Sequence, residues 1–262
     1  MNIPFYQVDA FTDEVFHGNP AAVCLLDAWL EDTVMQKIAM ENNLSETAFI
    51  VKSKDVFQIR WFTPVAEVAL CGHATLASAH VLFSHCGYSK NVIVFESKQS
   101  GVLRVQQEGE YLTLDFPAQK ISLVKPPTKV IEGLGKEPIE VYKGNTDYMF
   151  VYHHEQDIQG LSPDFHSLSD HDIRGVIVTA KGDYVDFVSR FFAPKLGVNE
   201  DPVTGSSHTL LIPYWAQKLK KIELVAKQLS ARQGVLRCRW QNERVFISGQ
   251  AITYLQGTII HV

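Results

Sequence analysis

Three consecutive residues, Cys71-Gly72-His73, precede an apolar run that reaches Phe83. Each offers a different chemistry. An ionised thiol is a nucleophile or a carbon base. An imidazole relays protons or ligates a metal near neutral pH. A glycine at a helix start lets an anion approach unpaired backbone N–H groups at the positive end of the helix dipole. The spacing argues against zinc: His73, His80 and His85 lie seven and five residues apart, which fits no common ligand pattern, and no cysteine pair accompanies them.

A second glycine, Gly205, precedes SSHTLLIPYW in the same way, but Thr204 stands where the first copy has its cysteine. The second copy therefore offers no counterpart thiol to Cys71. Cys71 is then a buried structural residue or a thiol activated by a helix end. Asp201 and Ser206 flank the second glycine and read as capping residues, a role compatible with touching a ligand. GVNEDPVTG lacks the GxxxxGKS/T pattern and is not a phosphate loop. Glu46, between a helical and a strand-like segment, reads by itself as a solvated glutamate at an element boundary.

Many short strands and a few helices must position these residues. Asp55–Phe62 alternates with period two, and Val102–Gln107 with Tyr111–Phe116 flank a Glu108-Gly109 hairpin signal. Val176–Thr179 and Tyr184–Phe191 flank another turn at Lys181-Gly182-Asp183. Asp32–Asn43 is an amphipathic helix, and Ala74–Phe83 is apolar nearly all round, which requires burial on every side. Ser206–Lys220 starts alike, with a kink expected at Pro213. Strands around a few buried helices make an α+β architecture.

The order of these elements repeats. Gly18-Asn19 recurs as Gly144-Asn145, RWFTP at Arg60 as RFFAP at Arg190, Gly72 as Gly205, and QSGVLR at Gln99 as RQGVLR at Arg232. The offsets, 126, 130, 133 and 133, drift slowly and stay collinear, which points to an internal duplication. The halves are 1–118 and 119–262, with Lys125-Pro126-Pro127 as linker, and a ligand cleft is expected where they meet.

Composition narrows the function classes. A net charge of −5 without a basic, aromatic-interleaved run excludes a nucleic-acid partner. No apolar segment approaches the roughly 18 residues that span a bilayer. The start has no signal-peptide pattern, and four scattered cysteines give no disulfide framework, so a cytoplasmic location is expected.

The blocks HGNPAAV at His17, NLSETAF at Asn43, CGHAT at Cys71, EDPVTGS at Glu200, PYW at Pro213 and ARQGVLRCRW at Ala231 resemble, in order and across the whole chain, the phenazine-biosynthesis isomerase (PhzF-like) family. That family is related to diaminopimelate epimerase. The resemblance implies a diaminopimelate-epimerase-like α+β fold, with two pseudosymmetric halves that each wrap strands around a central buried helix. It implies a cofactor-independent isomerase that moves a proton on a small carboxylate-bearing metabolite, with Glu46 as general acid/base and His73 and Asp201 assisting. Asn19, Ser45, Gly72, Gly205 and Ser206 would lie around the substrate. It also implies no metal or organic cofactor, a small anionic metabolite as partner, no membrane, and a cytoplasmic homodimer. A Cys71-dependent racemase or epimerase and a non-catalytic binder of small carboxylates are the alternatives.

Overall fold

The computed structural model describes residues 2–125, 127–170 and 173–260; Pro126 of the expected linker lies outside the described residues. Antiparallel strands β1 (Ile3–Ala10) and β2 (Asn19–Leu26) open the chain. Helix α1 (Asp32–Asn42) carries it to β3 (Glu46–Ser53), which runs parallel to β2. β4 (Val56–Phe62) turns back antiparallel, and the short β5 (Glu67–Val68) pairs with it. Helix α2 (Gly72–His85) crosses to β6 (Val92–Ser97), parallel to β4. β7 (Gly101–Glu108) and β8 (Tyr111–Pro117) follow as antiparallel partners joined at Gly109-Glu110. Parallel neighbours cannot be joined by a tight turn, so both helices serve as crossovers.

Helix α2 is apolar on all sides and is buried accordingly. Ala74, Ala77 and Ala79 are small enough for close approach to β1, β2, β3 and β7. Its buried hydroxyls return to the helix itself: Thr75 Oγ1 donates to Cys71 O (2.6 Å) and Ser78 Oγ to Ala74 O (2.7 Å).

The second unit follows with β9 (Ser122–Leu123), α3 (Thr128–Leu134), β10 (Glu140–Lys143), β11 (Asp147–Val151), α4 (Glu155–Gln159) and α5 (Phe165–Ser169). Then come β12 (Gly175–Lys181), β13 (Phe187–Phe192), α6 (Gly205–Leu219), β14 (Glu223–Gln228), β15 (Gly234–Gln241) and β16 (Arg244–Gly249). From β10 to β15 the pairings run antiparallel, parallel, antiparallel, parallel, antiparallel, the order already seen from β1 to β7. One side-chain device also recurs. Arg60 holds Glu67 bidentately at 2.7 Å and lies over Phe62, while Arg190 holds Glu200 at 2.7 and 2.9 Å and lies over Phe192.

The last strand, β17 (Ala251–Ile259), pairs antiparallel with β1. The chain forms two compact units, Met1–Asp115 with Ser248–Val262, and Phe116–Ile247. Among the described residues no helix is long and apolar enough to cross a membrane.

Pro213 does not end α6, which continues to Leu219. A proline at 213 leaves the Thr209 carbonyl without its i+4 donor. The Gln119 N–H supplies one instead, at 3.0 Å, and the Gln119 side chain also donates to Thr209 Oγ1 (2.9 Å).

The loop ahead of β2 is tightly constrained. Phe11, Phe16 and Gly18 all have φ between 64° and 71°, and buried Asp9 accepts the Phe16 N–H at 2.8 Å. A Cβ on Gly18 would lie 2.2 Å from Ala10 O. Gly18→Ala should cost at least about 2 kcal/mol in urea unfolding, since backbone clash adds to the cost of left-handed geometry. Gly101→Ala, at φ 69° in open space, should cost only about 1 kcal/mol. Equal losses would mean that the Gly18 contact is not what constrains the loop.

Candidate active site

Parallel pairing puts the beginnings of β2 and β3 at the same end of the sheet, with Ala21 beside Glu46. Asn43, in left-handed geometry (φ 49°), ends α1 with its N–H on Ala39 O and turns the chain so that Glu46 becomes the first residue of β3. Asn19 is the first residue of β2. Gly72 and His73 form the first turn of α2. Three element starts thus deliver Asn19, Glu46 and His73 to one place.

His73 is the centre of the cluster and is buried. Its Nε2 lies 3.1 Å from Glu46 Oε2, and the Glu46 side chain is 18% exposed. The contact is close enough for an ion pair but poorly aligned, so buried Oε2 has no hydrogen-bond partner. On the other side of the ring, the fully buried Asn19 amide reaches Nδ1 at 3.1 Å. The two ends of an amide are nearly isosteric. Asn19 can therefore offer N–H to a bare Nδ1 or its oxygen to Nδ1–H. Cys71 Sγ completes the group, 3.5 Å from Nδ1 and 3.9 Å from Nε2.

The electrostatics separate the roles. Burial pushes the Cys71 thiol up to about 11, and the Glu46 charge acts in the same direction. The expected alternative of a thiol activated by the helix end is thereby corrected: the dipole is outweighed by desolvation and a neighbouring carboxylate. Burial alone would favour neutral His73, but the charges of Cys71 and Glu46 outweigh it and hold its pKa well above the usual histidine range. With the thiol protonated near neutral pH, the Glu46 carboxylate carries that effect.

In the second unit the loop before α6 is pinned from β14. Gln228, fully buried, donates from Nε2 to Asp201 O (2.7 Å) and accepts the Thr204 N–H on Oε1 (2.9 Å). Ser230 Oγ donates to Pro202 O at 2.8 Å. Asp201 accepts a hydrogen bond from the Thr204 hydroxyl. Ser206 does not occupy the expected capping position: it is the second residue of α6, and Thr204 is the N-cap, its hydroxyl turned to Asp201. His208 donates Nδ1–H to Thr204 O (2.8 Å), and burial pushes its pKa down to about 4, so the ring stays neutral.

The first unit thus unites Asn19, Glu46, Gly72 and His73, with Cys71 beside them. Ser45 adjoins Glu46 at the turn into β3, and Asp201, Gly205 and Ser206 share the pinned loop of the second unit. Gln228 and the Thr204–Asp201 bond escaped the sequence. Gln228 belongs to no motif, and a polar residue closing a strand of alternating burial was its sole signal.

The family model described as phenazine biosynthesis-like protein matches residues 8–257. The chain is similar to an uncharacterized isomerase of Pseudomonas aeruginosa, 54% identical over 260 residues and covering 99% of both chains. It is 38% identical over 287 residues to the human phenazine biosynthesis-like domain-containing protein, again at 99% of both. It superposes on the crystal structure of a PhzF-family protein from Enterococcus faecalis with a TM-score of 0.96, at 48% identity and 100% coverage of each. A hydroxyproline epimerase from Agrobacterium vitis shares the fold at 8% identity, with a TM-score of 0.66 over 98% of this chain and 92% of that one. The α+β, diaminopimelate-epimerase-like fold expected from the sequence is the one observed.

Two measurements check this chemistry. In imidazole NMR titrations His73 should stay protonated above its ordinary pKa of about 6.5. Glu46→Gln should bring its titration down, because burial then acts with little opposition. Since the folded pKa is raised, the associated stability is complete below about pH 6.5 and is lost as pH rises through the folded value. An unchanged titration in Glu46→Gln would exclude the carboxylate as the cause. Of the four free cysteines, Cys24, Cys71 and Cys238 are buried and Cys86 is exposed. A thiol reagent on native protein should find one fast site, absent in Cys86→Ser; fast labelling of Cys71 would contradict its burial.

Proposed function

Because the chain belongs to the phenazine biosynthesis-like (PhzC/PhzF) family, we propose that it is an isomerase that moves a proton on a small carboxylate-bearing metabolite without a cofactor, with Glu46 as general acid/base. One observation carries the proposal: a buried carboxylate oxygen that takes no hydrogen bond lies 3.1 Å from an imidazole that is itself backed by an amide. The carboxylate takes a proton from an activated carbon. His73, positioned by Asn19, steadies the charge state of Glu46 and exchanges protons with it. The N–H groups at Gly72 and Gly205 are assigned to the substrate's anionic group, a role suited to helix starts. Asp201, Ser206 and Ser45 are assigned as further substrate contacts. The recurrent pairing order and the twin arginine–glutamate forks support an internal duplication as the origin of the two units.

A Cys71-based racemase is the weaker reading, since a thiol held near 11 is a poor base at neutral pH. The deciding experiment follows carbon-bound protons of a panel of small amino-acid and aromatic carboxylates in deuterated buffer. Glu46→Gln should slow solvent exchange by about 10²–10⁴-fold, the usual worth of a general base, while Cys71→Ser should retain most of it. Equal exchange by wild type and Glu46→Gln would remove Glu46 from the mechanism. A bound carboxylate that never exchanges would favour a non-catalytic binder.

A further inference from the structure

Arg60, Arg190 and Arg174 are all anchored through Nη1. Arg60 Nη1 donates to Asp32 at 2.8 Å, and Arg190 Nη1 donates to the carbonyls of Ile158 (3.1 Å) and Leu161 (2.8 Å). In both, the parallel Nε–H and Nη2–H then hold a glutamate, Glu67 or Glu200. Arg174 Nη1 donates to both carboxylate oxygens of Asp147, at 2.8 and 2.7 Å. Its Nε–H and Nη2–H have no partner among the described residues, and its side chain is 41% exposed. We propose that Arg174 is a carboxylate-binding residue of the second unit, whose paired donors receive a small ligand's carboxylate as those of Arg60 and Arg190 receive a glutamate.

The anchor suits that use. Asp147 is buried, and a buried carboxylate is costly unless it is paired. Here it fixes the plane of the guanidinium before a ligand arrives, which lowers the entropy lost on binding. Gly175 makes room for it: a Cβ there would lie 2.8 Å from Asp147 Oδ1 and 2.4 Å from the Phe191 ring. The position has a counterpart in the first unit. Asp147 and Gly175 face each other across parallel β11 and β12, as Ala21 and Glu46 do across parallel β2 and β3. Gly175 is thus the counterpart of Glu46, and Arg174 that of Ser45. Where the first unit carries an acid, the second omits the side chain and sets a cation beside the gap.

Two parallel donors match the two oxygens of a planar carboxylate. Asp147 already balances the guanidinium charge, so a monoanion leaves less uncompensated charge than a phosphate dianion. The site stands on this geometry. Only the identification of the bound carboxylate with that of the isomerised metabolite rests on the isomerase reading.

Phenylglyoxal labelling of the full-length protein, mapped by mass spectrometry, tests the site. Arg174 should label faster than Arg60 and Arg190, whose donors hold glutamates. Acetate and benzoate should slow labelling of Arg174, and inorganic phosphate at the same concentration should slow it less. In NMR titrations the Arg174 Nε–H resonance, identified by its loss in Arg174→Lys, should move saturably with benzoate. Benzoate affinity should fall about 10–100-fold in Arg174→Lys, which keeps the charge but loses the paired donors. Asp147→Asn should shift the preference from benzoate toward phosphate. Should either variant fail to fold, the wild-type labelling decides. Labelling of Arg174 that neither carboxylate slows overturns the site, as does equal benzoate affinity in Arg174→Lys. Protection by phosphate alone overturns the carboxylate assignment. With an exchanging substrate in hand, Arg174→Lys should raise its KM with little change in kcat; an unchanged KM would separate this site from the substrate. Protection without any proton exchange leaves the site standing and removes the isomerase reading, and exchange without protection does the reverse.

Discussion

A helix that is apolar on every side has no place on a surface, and that constraint organises the first unit. Strands β1, β2, β3 and β7 pack around α2, and the small faces of Ala74, Ala77 and Ala79 allow a close approach. The helix cannot bury its first turn as cheaply, because unpaired N–H groups there need partners. Asn19, Glu46 and His73 collect around that end. Asn19 and Glu46 reach it because β2 and β3 run parallel and so begin at the same end of the sheet, with Glu46 beside Ala21. Had β3 run antiparallel to β2, its first residue would stand at the opposite end of the sheet.

The resulting cluster is costly by the standards of a protein interior. A carboxylate and an imidazole removed from water recover part of their desolvation from each other, and such pairs contribute little to net stability. The same burial that holds the Cys71 thiol protonated keeps the carboxylate poorly solvated, and the His73 charge compensates it. One environment therefore suppresses the thiol while an imidazolium faces the carboxylate.

Much of this was legible in the residues. Period-two strands, an all-round apolar helix and collinear repeats are local or order-based signals, and they gave the α+β class and the paired glycine–helix starts. What escaped depends on partners distant in sequence. The acidity of Cys71 is set by burial and by Glu46, not by the helix end that the local sequence displays. Ser206 looks like a cap until the Thr204 hydroxyl is seen to turn to Asp201. Gln228 pins that loop from a strand 24 residues onward, without belonging to any motif. β17 joins the first unit because it finds its partner in β1, at the other end of the chain.

The proline in α6 has an effect that reaches beyond the helix. By withholding a donor from Thr209 O, it turns an interior helical hydrogen bond into a tertiary one, received from a residue 90 positions earlier. Positions 119 and 213 are thereby coupled in their tolerance of change. A donor restored at 213 competes with the Gln119 N–H for a single carbonyl, and a proline at 119 leaves that carbonyl bare. The two sites form an epistatic pair: a substitution at either one alters the background in which the other is selected, although their side chains need never touch.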